Sequence, residues 1–352
     1  MFVDIIAGFE RDYRDEHADC CGRKPVDRRL LILGSLWYIG ITTTFTALEE
    51  LTRVSETSHR LFFLNKFLDW GVRLAQDNIF LPRTEDEYEK VENVYRSKGL
   101  PGCVGSIDCV HLRWDKCPAG LLGECVGKEG KPTLAFEVVA TNSRRIQSVS
   151  GYCHGAQNDK TISKHDRAVK TLRTPGLFLS EKTFGLIVDD TGDTEEHKGS
   201  YFICDGGYTM WTCLVPPYKE YEPTSTKEGW SKHVEGLRKD VECTFGILKK
   251  RFMVLKNPIK LGKAKHIQEM FVTCCALHNR LLAHDEDNDE DDNDTDDELG
   301  DGENHNDLIN HNPFQPHKNN VQTPTKAEFQ ERRDALVKHY SICVANRLLQ
   351  LH

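Results

Sequence analysis

Between residues 100 and 283, short apolar strand-like runs alternate with segments of helical period, and this alternation restricts the chain to α/β architectures. VGSIDCVHLRW opens the stretch as a short strand with one acid, Asp108, at its middle. TLAFEVVA and IQSVSGY follow, separated by the turn-forming Thr141-Asn142-Ser143, and read as a hairpin beside the first strand. A helical stretch around Lys160–Leu172, a loop and the strand GSYFICDGGY come next, and a longer loop contains Pro216-Pro217. The predicted helix Ser231–Phe252 carries Val234, Leu237, Val241, Phe245, Leu248 and Phe252 at steps of three and four. A last apolar helix, HIQEMFVTCCALHNRLL, closes a domain expected over residues 101–283.

Residues 1–100 read as helical. Asp27 can cap RRLLILGSLWYIGI, whose apolar residues fill most of its faces, as in a buried helix. A short amphipathic helix, a turn at Thr52–Val54 and a second helix entered at Ser55 follow within about 25 residues, a spacing compatible with a helix-turn-helix. That second helix would present Thr57 and Arg60, with His59 a third candidate. A plain helical packing domain fits the same pattern.

The formal net charge of −9 conceals a basic body. Residues 285–303 hold thirteen acids and no bases, and removing those thirteen from the 55 leaves 42 acids against 46 bases. Seven of these bases lie between Lys249 and Lys265 with no acid among them, a stripe suited either to a phosphate backbone or to a solvated face. The acidic run and the Asn/His-rich stretch after it, 284–322, bury too little apolar surface to fold and are expected as a disordered linker. Segment 323–352 is expected as a C-terminal helix, with a Thr325/Glu328 capping box and a stripe of Phe329, Leu336, Tyr340 and Val344. No apolar run approaches the about 20 residues of a membrane span, and the N-terminus turns acidic too soon for a secretory signal. The 13 cysteines are scattered without a Cys-x-x-Cys pair, which points to reduced thiols inside the cell.

Three acids occupy costly positions: Asp108 in mid-strand, Asp205 at the end of the apolar run YFIC, and Glu242 beside the apolar stripe of its helix. Carboxylates converging from two strands and a helix suit hard cations such as Mg²⁺ or Mn²⁺, which take oxygen ligands and keep positions open for water and phosphate. Arg238, one turn before Glu242, and Lys249, two turns after it, would contact phosphate, as would Lys250 and Arg251. Gly246 offers a low spot for a DNA backbone between them.

These residues also carry a family resemblance. Gly105-Ser106-Ile107-Asp108, Cys204-Asp205-Gly206-Gly207-Tyr208 and the run from Arg238 to Lys249 resemble the three signature blocks of the PIF/Harbinger transposases and the nucleases derived from them. Gly155-Ala156-Gln157-Asn158-Asp159 is similar to a central block of that family, and CCALHN at 274–279 to its closing block. The resemblance implies an RNase H-like domain with Asp108, Asp205 and Glu242 as a metal-binding DDE triad. It implies too a helical DNA-binding region over residues 30–68 that includes Arg60, action on DNA in the nucleus, and a Myb-like protein partner. Asp159 is followed by Lys160-Thr161 where the family has Asp-Ser or Asp-Ile, and is expected to be structural or to lie just behind the metal ligands. His111 and His278 read as packing or hydrogen-bonded histidines, and Asp240 as a salt-bridge partner.

The expected function is thus a metal-dependent nuclease or transposase. The alternative is a domesticated, non-catalytic DNA-binding or chromatin-associated protein that kept the fold.

Overall fold

The computed structural model describes residues 6–9, 26–128, 130–290 and 325–349. They fall into two compact units. One draws on Met1–Ile79, Leu112–Leu134 and Gly246–His311, the other on Phe80–His111, Ala135–Phe245 and Asn312–His352. These cuts differ from the expected segments 1–100, 101–283, 284–322 and 323–352 because single strands and helices run through the unit boundaries.

The first unit is largely helical. Asp27 caps the helix Arg28–Ile41, its Oδ1 accepting the Arg29 N–H at 2.9 Å, and Thr44 caps Phe45–Thr52. Arg53, at φ 60°, makes the turn, and Ser55 starts Glu56–Phe62 as anticipated. The chain then winds through a π-turn, Phe63–Phe67, into the helix Leu68–Asn78. Thr57 and Arg60 are both exposed, but His59 is not. It is 1% exposed and shares a hydrogen bond with Thr52 Oγ1 at 2.8 Å. A Cβ on Gly34 would stand 2.7 Å from its ring. His59 therefore belongs to the helical core, because the turn at Arg53 rotates it inward between the preceding two helices. The helix Ala264–Glu290 lies along Leu68–Asn78 so closely that a Cβ on Gly71 would be 2.1 Å from Thr273 Oγ1. Asn279 fastens the pair by donating to the Asn78 carbonyl at 2.7 Å. This helix continues past residue 283 to Glu290 and so takes up the start of the acidic run. The rest of that run, and the Asn/His-rich stretch, lie outside the described residues.

The second unit is a mixed α/β layer structure. Its sheet runs β3 (Ile146–Val149), β2 (Thr133–Ala140), β1 (Cys103–Arg113), β7 (Tyr201–Ile203), β8 (Leu214–Val215), with β4 (Cys153–His154) also paired to β2. β2 and β3 form the predicted antiparallel hairpin, whereas β1, β7 and β8 run parallel. On one face Val104, Ile107, Val139, Phe202 and Leu214 pack against Ala168, Val169 and Leu172. On the other, Cys103, Tyr201, Ile203 and Val215 meet Trp230, Val234, Leu336 and Val337. Strand residues alternate between the faces, so the short strands supply both cores.

Three features depart from the sequence expectations. The stretch around Lys160–Leu172 is two helices, Asp159–His165 and Arg167–Arg173, because Asp166 adopts extended backbone between them and caps the second, accepting the Val169 N–H at 2.8 Å. A hairpin of β5 (Thr183–Ile187) and β6 (Thr194–Lys198) occupies what reads as a loop. The terminal helix, Lys326–Ala345, has its Thr325/Glu328 capping box but buries Phe329, Leu336, Val337, Ile342 and Cys343, leaving Val344 exposed. It docks on its own unit through Arg332, which donates to the carbonyls of Lys198, Gly199 and Thr212. Among the described residues no helix is long and apolar enough to cross a membrane.

Candidate active site

Parallel pairing of β1 with β7 brings the first two acids together. Ser106 pairs with Ile203, and Asp108 and Asp205 each lie two residues further on, side by side where β7 ends. The third acid arrives on the helix Thr226–Arg251, which begins five residues before its predicted start. Arg238 on this helix reaches both ways: its Nη2 is 2.7 Å from Glu242 Oε1 and its Nη1 is 3.4 Å from Asp108 Oδ2. Glu242 thus stands on the same side of the sheet as Asp108. Asp240, two residues earlier, points elsewhere and pairs with Arg144 at 3.0 Å, tying the β2–β3 turn to the helix.

Burial pushes the Asp108 carboxyl up to about 6. The Cys109 N–H, at 2.8 Å from its Oδ1, and Arg238 draw it down, while Asp205 and Glu242 push it up. The three acids therefore repel one another across the site even with a guanidinium between two of them.

Glycine in the Asp205-Gly206-Gly207 block has a steric cause. Asp205 Oδ1 accepts the Gly207 N–H at 2.7 Å, and a Cβ on Gly207 would lie 2.9 Å from that oxygen and 3.1 Å from Asp159 Oδ2. Two carboxylates flank this one residue. Asn158 caps the helix that Asp159 begins, accepting the Thr161 N–H at 2.9 Å, and so places Asp159 at the edge of the site beside Asp205.

A further acid lies beneath. Glu137, on β2, is 1% exposed, and the Tyr208 hydroxyl stands beside its carboxylate. Burial and the nearby Asp166 push its carboxyl well above the usual range, Tyr208 offsets this in part, and Asp159 and Asp108 add to it. Sequence reasoning passes over Glu137, although an acid inside TLAFEVVA is the same signal that singles out Asp108.

The donor chemistry fits a hard divalent cation: oxygen ligands only, with mutual repulsion that a positive charge relieves. Among the described residues, however, no three Asp, Glu, His or Cys side chains close into a metal-binding group. The positive charge held between Asp108 and Glu242 is the Arg238 guanidinium, whose side chain is only 17% exposed and so is engaged with the acids rather than offered to solvent.

The other expected phosphate contacts differ among themselves. Lys250 is exposed, Lys249 half-buried. Arg251 donates to His278 Nδ1 at 3.0 Å and pairs with Asp285 at 3.7 Å, so it anchors one helix of the first unit to another. His278, fully buried, is a packing residue as expected, and His111 is half-buried. Gly246 has open space where a side chain would stand.

Residues 80–290 match the family described as "Plant transposon protein", a span that contains all five sequence blocks. The chain is 22% identical over 205 residues to Protein ALP1-like of Arabidopsis thaliana, covering 57% of this chain and 47% of that protein. It is 23% identical over 221 residues to "Putative nuclease HARBI1" of Homo sapiens, covering 61% and 54%. With the protein of the same name from Xenopus laevis the figures are 24% over 292 residues, covering 80% and 78%. The chain spans about half the length of the Arabidopsis and human relatives. No solved structure matches it. The family match takes in more than half of the 352 residues, and the chain belongs to the plant transposon protein family, the Harbinger-derived group its sequence blocks resemble.

Proposed function

We propose that this chain is a metal-dependent DNA nuclease of the transposase type, with Asp108, Asp205 and Glu242 as its DDE triad on an RNase H-like fold. The observation that carries the reading is the convergence of the three acids: two on adjacent parallel strands, the third on a helix joined to the first through Arg238. The order β3-β2-β1-β7-β8, with an antiparallel hairpin on one side of β1 and parallel strands on the other, supports the fold assignment. Relatives that bear a nuclease name support the activity.

Asp108 and Asp205 would hold a Mg²⁺ or Mn²⁺ ion from the sheet and Glu242 from the helix. When bound, the cation supplies charge against the phosphodiester and acidifies a water. Asp159, beside Asp205 at the edge of the site, adds a further acid to the group that a cation would meet. Lys249 and Lys250 contact the DNA backbone, and Arg60, exposed on the helix after the Arg53 turn, reads the duplex. The protein works on DNA in the nucleus, with a Myb-like protein as its partner.

A nicking assay on supercoiled duplex DNA with millimolar Mg²⁺ or Mn²⁺ tests the reading. The wild type should nick and Asp108→Ala should lose at least about 100-fold in rate, some 2.7 kcal/mol of transition-state stabilisation. A wild type that binds DNA but cuts no faster than Asp108→Ala would establish instead the second reading, a DNA-binding protein that kept the fold. The Arg238 ion pairs and the unclosed carboxylate group are what favour that second reading.

A further inference from the structure

We infer that Arg238 is a built-in exchangeable cation: without metal its guanidinium bridges Asp108 and Glu242, and a divalent metal ion must compete with it for the same two carboxylates. The inference rests on the metal-site reading of the triad.

Position comes first. Arg238 and Glu242 are one turn apart on one helix, while Asp108 lies on β1, so the two ion pairs cross-link helix and sheet at the point where the acids converge. The side chain is 17% exposed, and a charge so enclosed is held by its partners rather than by water.

The guanidinium is also poorly satisfied. Its distance of 2.7 Å to Glu242 is that of a strong charge-assisted bond, but the 3.4 Å to Asp108 is well beyond that range. Its Nε is buried without a hydrogen-bond partner among the described residues. An arginine selected for a permanent structural bridge has a planar fork that can satisfy a carboxylate bidentately, and this one offers a single nitrogen to each acid. Asp205 takes its hydrogen bond from the Gly207 N–H instead.

Charge balance points the same way. Arg238 is paired with Asp108 and Glu242 while Asp159 flanks Gly207 beside Asp205, and the ammonium of Lys219 lies near Gly206 rather than between the two acids that Arg238 bridges. A divalent ion carries twice the charge of the guanidinium and is compact enough to meet Asp205 as well. Exchange then proceeds without exposing bare acids: the carboxylates are partnered before the metal enters and after it.

Titrating Mn²⁺ into the full chain by calorimetry, and following its effect on thermal unfolding, tests the exchange. Arg238→Gln should bind Mn²⁺ about 10-fold more tightly than the wild type, because no resident cation has to leave, and Arg238→Lys should stay near the wild type. The Mn²⁺-induced rise in melting temperature should accordingly be larger for Arg238→Gln. Wild-type binding with equal or weaker binding by Arg238→Gln overturns the exchange and leaves the metal site standing. If neither the wild type nor Arg238→Gln binds Mn²⁺, the metal reading fails and the exchange fails with it. Should Arg238→Gln not fold, the Arg238 guanidinium NMR signal of the wild type, assigned by its loss in Arg238→Lys, decides during a Mg²⁺ titration. A saturating shift supports release, and an unchanged signal at saturating metal refutes it.

Discussion

Asp205 and Gly207 form a closed local unit, the carboxylate of the first accepting the N–H of the second at 2.7 Å while Asp159 approaches from the other side. A single methyl group at Gly207 would press on both carboxylates, at 2.9 Å and 3.1 Å. Gly207→Ala should therefore cost about 1–3 kcal/mol, the usual penalty of overpacking, and should also weaken Mn²⁺ binding by displacing Asp205. Chemical denaturation and calorimetry read the two effects separately. A variant as stable and as metal-competent as the wild type would remove the steric role of this glycine.

Asp108 makes stability depend on pH in a definite direction. Its carboxyl is raised from 3.8 to about 6, so the folded chain holds this proton more tightly than the unfolded chain does. Metal-free protein should lose stability as pH rises from about 4 to about 6 and regain none above that. Asp108→Asn removes this contribution. Denaturation in a chelator should find the variant more stable above pH 6, by at most about 3 kcal/mol, with the difference closing near pH 4.

Glu137 offers a second case, a carboxylate buried in the sheet with the Tyr208 hydroxyl beside it. Its carboxyl is also raised, so its effect on stability has the same sign and is greatest at neutral and alkaline pH. Glu137→Gln removes the ionisable group while keeping the shape, and should stabilise the protein above neutrality and leave it unchanged in acid. Destabilisation at pH 8 would mean that the charge of Glu137 is itself needed.

The basic stripe should separate into two kinds of residue. Lys249→Ala with Lys250→Ala should leave the melting temperature nearly unchanged and flatten the salt dependence of DNA binding, by about 0.9 in log–log slope for each phosphate no longer neutralised. Arg251→Ala should instead lower stability by about 1–2 kcal/mol, since it strips a hydrogen-bond partner from buried His278.

Local physics explains which parts of this architecture are legible in the sequence. The helices from Arg28 to Phe62 announce themselves by apolar period and by caps at Asp27 and Ser55, and each begins where its cap stands. β1 and β2 are apolar enough to be read directly. The β5–β6 hairpin is not, because the polar and acidic residues of TEEHK leave β6 almost wholly exposed and without an alternating pattern. Residue type alone puts His59 and Arg251 on surfaces. What decides their place is a turn at Arg53 in one case and a distant histidine in the other, and neither relation lies within a sequence window. Asp108, Asp205 and Glu242 stand out as acids in apolar surroundings, but that Arg238 stands between two of them depends on the packing of helix against sheet.

The last helix of the chain holds the carbonyls of Lys198, Gly199 and Thr212 through one arginine, at the threshold of the strand that leads to Asp205. Loss of Arg332 would leave three peptide oxygens beside β7 without that donor and would loosen the seat of Tyr201, a core partner of Leu336 and Val337. The strand that leads to Asp205 is thereby held in part by a stretch of chain far downstream of it. A protein shortened before Thr325 would keep Asp108, Asp205 and Glu242 and still lose the clamp on the segments that flank β7.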